Sequence, residues 1–386
     1  MKRQLVVVGG GFAGLTAALT AAEAGAEVTV HEAHTTLGGR ARTAAAPYRT
    51  NEGPHALYNG GPHWAWLKRQ GLLRPLAALP PAEGLRLRFH SGGVLRRRPP
   101  LGLLRLLRHR TAPYDEAFLP WASRLIGEEA ALAASHYAAV ATFHHDPGSL
   151  SAAFTQERFR RSASLPPEAH YVRGGWGALI GRMADRAREM GVVIETGSRV
   201  DSLDGLRGGP VVVATTLEAA RRLLKDDSLT WHGGRTALLD LVLEERRGDV
   251  FAVSDLEGPG WTERFTAQDK TVAPRGQSLI QAQFPLAPDE PKSEGLARAE
   301  RILDLGFPDW RRRTLHSSDA LANARTGAVD PVGTTWRDRP ALDRGDGVYL
   351  AGDQVAAPGV LSEVSFTSAL EAAHMALRTQ GARAAA

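Results

Sequence analysis

Apolar residues in this chain fall into short blocks punctuated by glycine, and the spacing inside the blocks switches between continuous runs, two-residue alternation and a helical period. Leu5-Val6-Val7-Val8 is a continuous run of the kind that makes a strand covered on both faces. It opens into Gly9-Gly10-Gly11-Phe12-Ala13-Gly14, after which an alanine-rich segment from Leu15 to Ala24 has helical composition and stops at Gly25. Glu27-Val28-Thr29-Val30 predicts a second strand, and similar buried runs recur at Val192-Val193-Ile194, Val211-Val212-Val213 and Val348-Tyr349-Leu350-Ala351. One further helix is predicted to end at Met190, and another to run from Ser362 to Leu377 with a serine at its start. Ala237 to Leu243 and Ser278 to Phe284 alternate as strands of a sheet with one face turned inward, while Asp115 to Arg161 reads as helical and is expected to form a lid.

The first block is a complete unit of strand, glycine turn and helix. Gly9, Gly11 and Gly14 satisfy G-x-G-x-x-G in the context that gives the pattern meaning, because such a turn lets main chain approach a pyrophosphate at the N-terminus of a helix. Phe12 and Ala13 belong to the same turn. The second strand leads to Glu32 and Ala33, where an acidic side chain accepts both hydroxyls of an adenosine ribose. Nicotinamide and flavin dinucleotides share this half, so the unit by itself leaves the two open.

The next residues separate them. Gly38-Gly39-Arg40-Ala41-Arg42 is a second glycine loop ending in arginines, and it resembles the extension found in FAD-dependent oxidoreductases of the amine oxidase and phytoene desaturase superfamily. Gly347 to Asp353, Tyr171 to Val200 and Gly209 to Thr216 resemble further segments of that family in the same order, and together the resemblance spans about half the chain. It implies an α/β fold: a discontinuous Rossmann-like FAD-binding domain and a second, substrate domain of mixed sheet plus helices. The expected boundaries are 1–75, 168–223 and 329–386 for the first, and 76–167 and 224–328 for the second. It further implies that Gly352 and Asp353 hold the ribityl or pyrophosphate part of FAD, that Val200 lies near the adenine, and that Val360 and Leu361 lead a helix N-terminus toward the flavin. Gly53 and Pro54 would let the main chain pass beside the ring.

Catalytic side chains are harder to read, since hydride transfer to a flavin is chiefly positioning. His55 is the best candidate, as a base or as a hydrogen-bond donor, with a loop-anchoring histidine as the alternative; Tyr58 and Glu52 follow on the same argument. His144-His145-Asp146 superficially suggests a metal cluster, but adjacent side chains rarely converge on one ion and Pro147-Gly148 marks a turn, so no metal is expected. There is no second G-x-G-x-x-G for a resident nicotinamide, which leaves oxygen, a quinone or another diffusible electron acceptor. The aromatic pair of amine oxidases is reduced locally to Phe366, and none of the lysines, Lys2, Lys68, Lys225, Lys270 and Lys292, matches the lysine many of those enzymes hold near the flavin.

Composition adds exclusions. The chain has 386 residues, too long for one ordinary domain, and no cysteine, which rules out a dithiol, a cysteinyl flavin link and a thiolate metal site. The early apolar run is the glycine-turn unit and not a secretory leader, and no stretch is long enough to span a membrane, so a soluble cytoplasmic protein is expected. A net charge of +5 is spread mostly as arginine without any nucleic-acid module, and no nucleic-acid partner is expected. The dense basic stretch over 95–110, with Arg96, Arg97, Arg98, Arg105, Arg108 and Arg110 among leucines, could make a weak peripheral contact with an anionic membrane; the alternative packs its leucines on the core and leaves its arginines solvated.

The reading that follows is an FAD-dependent oxidoreductase that desaturates a small to medium, lipophilic organic substrate by hydride transfer to flavin N5. The alternatives are an amine or amino-acid oxidase, a redox-neutral flavin-dependent isomerase and, outside catalysis, a lipid-binding escort like the GDP-dissociation inhibitors.

Overall fold

The computed structural model describes residues 3–53, 55–206 and 209–385; Pro54 lies outside them, and so do the side chains beyond Thr379. Five strands form one parallel sheet: β1 (Gln4–Val8), β2 (Glu27–Glu32), β8 (Val193–Thr196), β9 (Val211–Val213) and β15 (Val348–Leu350), in the order β15-β9-β1-β2-β8. β1, β9 and β15 are short apolar runs because helices cover both faces of the sheet there, whereas β2 alternates and the edge strand β8 is largely exposed. One layer comprises α1 (Phe12–Glu23), α8 (Trp176–Glu189) and α12 (Ser362–Ala385), which pack together around Leu15, Leu19, Trp176, Met183 and Phe366. The other side is closed by α9 (Leu217–Leu224), with Val211, Val213, Leu229 and Leu350 in its contact. Helix α1 begins at Phe12, three residues ahead of the alanine-rich stretch, because helical main chain starts inside the glycine turn itself.

A second sheet has the order β14-β10-β13-β12-β11-β5-β6, built from β5 (Leu87–Ser91), β6 (Val94–Arg96), β10 (Gly233–Glu244), β11 (Ala252–Asp255), β12 (Gly260–Arg264), β13 (Gln277–Pro285) and β14 (Thr314–Ala328). All pairings are antiparallel except β11 with β5. Alternation sets its faces. Leu241, Leu243, Ile280, Ala282 and Phe284 turn toward α10 (Lys292–Gly306) and its neighbour α11 (Trp310–Arg313), while Val242 and Leu279 turn the other way, toward Phe265, Val272 and Tyr171. Three strands, β3 (Ala56–Tyr58), β7 (Ala169–Val172) and β4 (Leu76–Ala77), make a small antiparallel sheet beside this second face.

Helices fill the span predicted as helical. After α2 (Pro62–Arg69) and the one-turn α3 (Pro81–Gly84) come α4 (Leu101–Leu106), α5 (Phe118–Ile126), α6 (Glu128–Thr142) and α7 (Ala152–Ser162), which enclose Phe118, Trp121, Tyr137 and Phe159. Every strand of the five-stranded sheet comes from 1–75, 168–223 or 329–386, and every strand of the seven-stranded sheet from 76–167 or 224–328. Strand β4 pairs with β7 and so sits with the smaller sheet between them. No helix among the described residues is long and apolar enough to cross a membrane.

Candidate functional site

Glycine geometry defines the first groove. Gly9 has φ +110°, and a Cβ there would stand 2.5 Å from the carbonyl oxygen of Ala214, which follows β9; a Cβ at Gly14 would stand 1.8 Å from the Gly9 carbonyl oxygen. Both positions therefore require glycine, one for its conformation and contact and the other so that α1 can press onto the turn. Gly11 differs. A Cβ there would meet nothing closer than the Gly38 carbonyl oxygen at 3.6 Å, and Gly11 caps α1 without any side-chain hydrogen bond. The first-turn N–H groups of α1 thus present a cradle for an anion, as a dinucleotide pyrophosphate requires.

The second glycine loop lies beside the first. Gly38 N donates to the Gly10 carbonyl oxygen at 2.9 Å, and Gly38 and Gly39 have φ of +114° and +54°. Glu32 closes the end of β2, 6% exposed, with one carboxylate oxygen accepting from Gly10 N at 2.8 Å and the other from His34 N at 2.9 Å. Ala33 is half-buried next to it, and Val200 is half-buried in the packing of β9 and α9. Across the groove Arg40 grips Asp353 with both guanidinium nitrogens, one at 2.7 Å, and also reaches the Arg325 carbonyl oxygen at 3.0 Å. Burial alone would lower the Arg40 pKa; the Asp353 charge and its hydrogen bonds outweigh that and raise it. Ser368 on α12 pins Gly352, donating to its carbonyl oxygen and accepting from its N–H, each at 3.0 Å. A space of about 240 Å³ lies here, lined by Thr215, Leu350, Gly352, Asp353 and Gln354.

The start of α12 departs from the expected serine cap. Glu363 accepts from Val360 N at 3.0 Å and pairs with Arg161 of α7 at 2.7 Å, whereas the Ser362 hydroxyl is buried with no partner among the described residues. Leu361 adopts φ +53° to make this turn. A charged carboxylate outcompetes a hydroxyl for the N-terminal amide.

A second set of residues gathers at the seam between the sheets. Asp240 of β10, Gln281 of β13 and Glu263 of β12 stand in register on three neighbouring strands, a polar row across this face. Gln281 donates to Asp240 at 2.6 Å and to the Asn51 carbonyl oxygen at 3.3 Å, so its own oxygen is the acceptor for His55 Nε2 at 3.0 Å. His55 is thereby the neutral tautomer with its proton on Nε2. It stacks on Phe265 with ring centroids 4.7 Å apart, and burial pulls its pKa down to about 4.

Glu263 is 2% exposed and accepts three hydrogen bonds, from Trp261 at 2.9 Å, Tyr171 at 3.2 Å and Gln268 at 2.6 Å. Burial nevertheless dominates those donors and pushes its pKa up to about 7. Burial and then the Glu263 charge hold Tyr171 well above its ordinary value, so its phenol is neutral. Tyr58 lies near this group with Arg161 over its ring at 5.5 Å; burial raises it to about 12, and its hydroxyl has no hydrogen-bond partner among the described residues. Tyr171 in turn meets Phe265 edge-on at 5.6 Å. A small cleft opens on this wall, lined by Arg49, His55, Tyr171, Phe265, Gln268 and Gln281.

Residues 7–77 match the NAD(P)-binding Rossmann-like domain family. A 56-residue stretch, 14% of this chain, is 46% identical to bilirubin reductase of Mediterraneibacter gnavus (strain CC55_001C), and it spans 9% of that protein's length. Among solved structures, cyclohexylamine oxidase from Brevibacterium oxydans IH-35A superposes with a TM-score of 0.72 at 16% identity, over 99% of this chain and 100% of the other. An oxidoreductase from Methanosarcina mazei gives 0.71 at 16% identity over 95% and 99%. The chain shares the fold of these oxidoreductases.

Within this fold the sequence-predicted residues divide in two. Gly9, Gly11, Phe12, Ala13, Gly14, Glu32, Gly38, Gly39, Arg40, Gly352 and Asp353 converge on one groove, with Val360 and Leu361 at the adjoining helix end. Gly53 packs under Arg40, where a Cβ would stand 2.5 Å from the Arg40 carbonyl oxygen. Glu52 instead turns outward to pair with Arg42 at 2.9 Å. His144 turns onto the Asp146 carbonyl oxygen at 2.9 Å. The seam residues Glu263, Gln281, Asp240 and Tyr171 escaped sequence reasoning. For Asp240 and Gln281 the signal was a polar residue between apolar neighbours, as in Leu239-Asp240-Leu241 and Ile280-Gln281-Ala282, which becomes a row with Glu263 only once strand register is known.

Proposed function

We propose that this chain is an FAD-dependent oxidoreductase that dehydrogenates a lipophilic organic substrate at the seam between its two larger sheets. The observation that carries the reading is the pairing of Tyr171 with the buried Glu263: a neutral hydroxyl on the cavity wall, backed by a carboxyl able to change protonation near neutral pH. Bound FAD supplies the two-electron acceptor for a hydride. Forming a carbon–carbon double bond also releases a proton from the neighbouring carbon. Tyr171 takes that proton at its hydroxyl oxygen as it passes its own to the Glu263 carboxylate, which later loses it to water. The apolar wall of Phe265, Val172 and Val272 suits a hydrocarbon body, and the exposed Arg49 at the edge of the cavity suits an anionic end.

The same carboxyl supports the reverse direction as a second reading. At a pKa of about 7 Glu263 is protonated often enough to feed Tyr171 as a proton donor, which a flavin-dependent reductase of carbon–carbon double bonds needs. An amine oxidase reading is weaker, since among the described residues no lysine lines the cavity and Lys270 and Lys292 are paired with Glu245 and Asp319 at the surface.

The visible spectrum of the purified protein, with acid release of its chromophore, tests the cofactor. Released FAD is expected, and anaerobic bleaching by candidate substrates then separates dehydrogenation from reduction. A colourless protein that takes up no added FAD would overturn the proposal and favour a non-catalytic lipid carrier.

A further inference from the structure

From Gly84 to Tyr114 the chain carries eight arginines and not one acidic residue. The structure sorts the leucines of this stretch onto two faces of α4. Leu103 and Leu106 point inward, 4% and 0% exposed, while Leu101 and Leu104 point outward, 73% and 44% exposed. At helical spacing Leu101, Leu104 and Arg105 share one face, and Arg108 follows on the same side in the turn that continues the helix. The alternative in which all the leucines pack on the core does not hold: α4 makes only about one and a half turns, and half of its large apolar side chains have no core to meet.

The charges are equally unpartnered. Among the described residues none of Arg97, Arg98, Arg105, Arg108 and Arg110 forms an ion pair, and all five are exposed. Elsewhere the arginines that are buried have carboxylates, as Arg264 with Glu83, Arg313 with Asp249 and Arg339 with Asp330. Burial and then the neighbouring charges of Arg97 and Arg86 lower the pKa of Arg88, so the patch repels itself as it stands. The patch is held firmly from behind. Gln156 of α7 donates to the Leu106 and His109 carbonyl oxygens at 2.9 and 2.8 Å, and the inward leucines join the cluster that holds Tyr137 and Trp261.

We propose that the outer face of α4 and its flanking arginines dock this protein on an anionic lipid bilayer. Guanidinium groups sit at the level of lipid phosphates, and Leu101 and Leu104 between them enter the acyl boundary, the arrangement a shallow interfacial helix uses. A soluble polyanion would use the charges alone. The apolar pair standing among unpaired arginines is what favours a bilayer.

Sedimentation with large vesicles decides it. The whole protein is expected to pellet with equimolar phosphatidylcholine and phosphatidylglycerol and to stay in solution with phosphatidylcholine alone, and salt is expected to release it. Arg97→Glu with Arg98→Glu should weaken binding about tenfold or more. Leu101→Ser with Leu104→Ser, which keeps every charge, should weaken it severalfold while leaving binding to heparin unchanged. Both variants should keep the parent's thermal midpoint, because all four side chains are exposed. Failure to bind the anionic vesicles overturns the proposal. So does binding that the leucine pair does not affect, which would make the patch a general polyanion site.

Discussion

The groove at β1 and the seam at β12 both bury a glutamate, yet they are built from different materials. Around Glu32 the partners are main-chain N–H groups, fixed by the glycine turn and by the end of β2. Around Glu263 they are side chains of Trp261, Tyr171 and Gln268, brought together from β12, β7 and the turn after β12. A main-chain site has one geometry and fails when a Cβ intrudes. A side-chain site can be tuned group by group, and its carboxyl can be moved toward neutrality, which suits proton transfer more than binding.

The contrast breaks most sharply at Gly14. A methyl group there would stand 1.8 Å from the Gly9 carbonyl oxygen, main chain that cannot swing aside, so α1 must lift off the turn. Gly14→Ala is expected to abolish FAD retention and to cost about 1–3 kcal/mol of stability, read as flavin-to-protein ratio and thermal midpoint. Retained flavin would show that the turn is not the cradle. Glu32→Ala comes next. It removes the acceptor proposed for the ribose hydroxyls and should weaken FAD by about 1.5–3 kcal/mol, a Kd higher by at least about tenfold, measured by titrating the apoprotein. An unchanged Kd would remove Glu32 from the binding site.

At the seam the informative variable is pH. His55, and His63 on α2, which packs against Phe366 outside the seam, are both pulled to about 4 by burial, from an ordinary 6.5, so each stabilises the fold fully above 6.5 and loses that contribution as pH falls toward 4. Glu263 is pushed from 4.5 to about 7, so its contribution is complete below 4.5 and is lost as pH rises through 7. Between 4.5 and 6.5 the unfolded chain therefore holds two protons on this trio and the folded chain one. Stability should rise by about 1.4 kcal/mol per pH unit from these groups. Glu263→Gln leaves the two histidines unopposed and should roughly double that slope, and it should also erase an inflection near pH 7 in kcat. An unchanged slope and pH profile would mean that Glu263 does not titrate in this range.

The same contrast explains how much could be read in advance. Strand, turn, helix and the glutamate after β2 are neighbours in sequence, so one local pattern delivered the groove with its residues. Arg40 and Asp353 are 313 positions apart, and a family resemblance, not spacing, placed both on the cofactor, while their mutual grip emerged only from the fold. The seam depended on register. Asp240, Gln281 and Glu263 are each unremarkable in their own strand, and only the pairing of β10, β13 and β12 aligns them. For α4 the sequence left a membrane contact and core packing both open, because periodicity shows which residues share a face but not what lies opposite it.

His55 joins the two regions, and its expected effect is the smallest. Its loop belongs to the groove, its hydrogen-bond partner to the seam, and with a pKa of about 4 it is a poor base at neutral pH. Asn51 also reaches Gln281, donating through its N–H and accepting at its carbonyl oxygen, each at 3.3 Å, so the loop keeps two ties when the imidazole is lost. His55→Ala should therefore lower stability by about 1 kcal/mol through the hydrogen bond, with more from the ring stacked on Phe265, and change kcat by less than about threefold. His55→Gln, which can still donate to Gln281, should recover part of the stability. A kcat that fell by orders of magnitude in both variants would move the chemistry from Tyr171 and Glu263 to the imidazole. The groove and the seam would then share a catalytic residue, and a loop fixed by main chain would be tuning a proton after all.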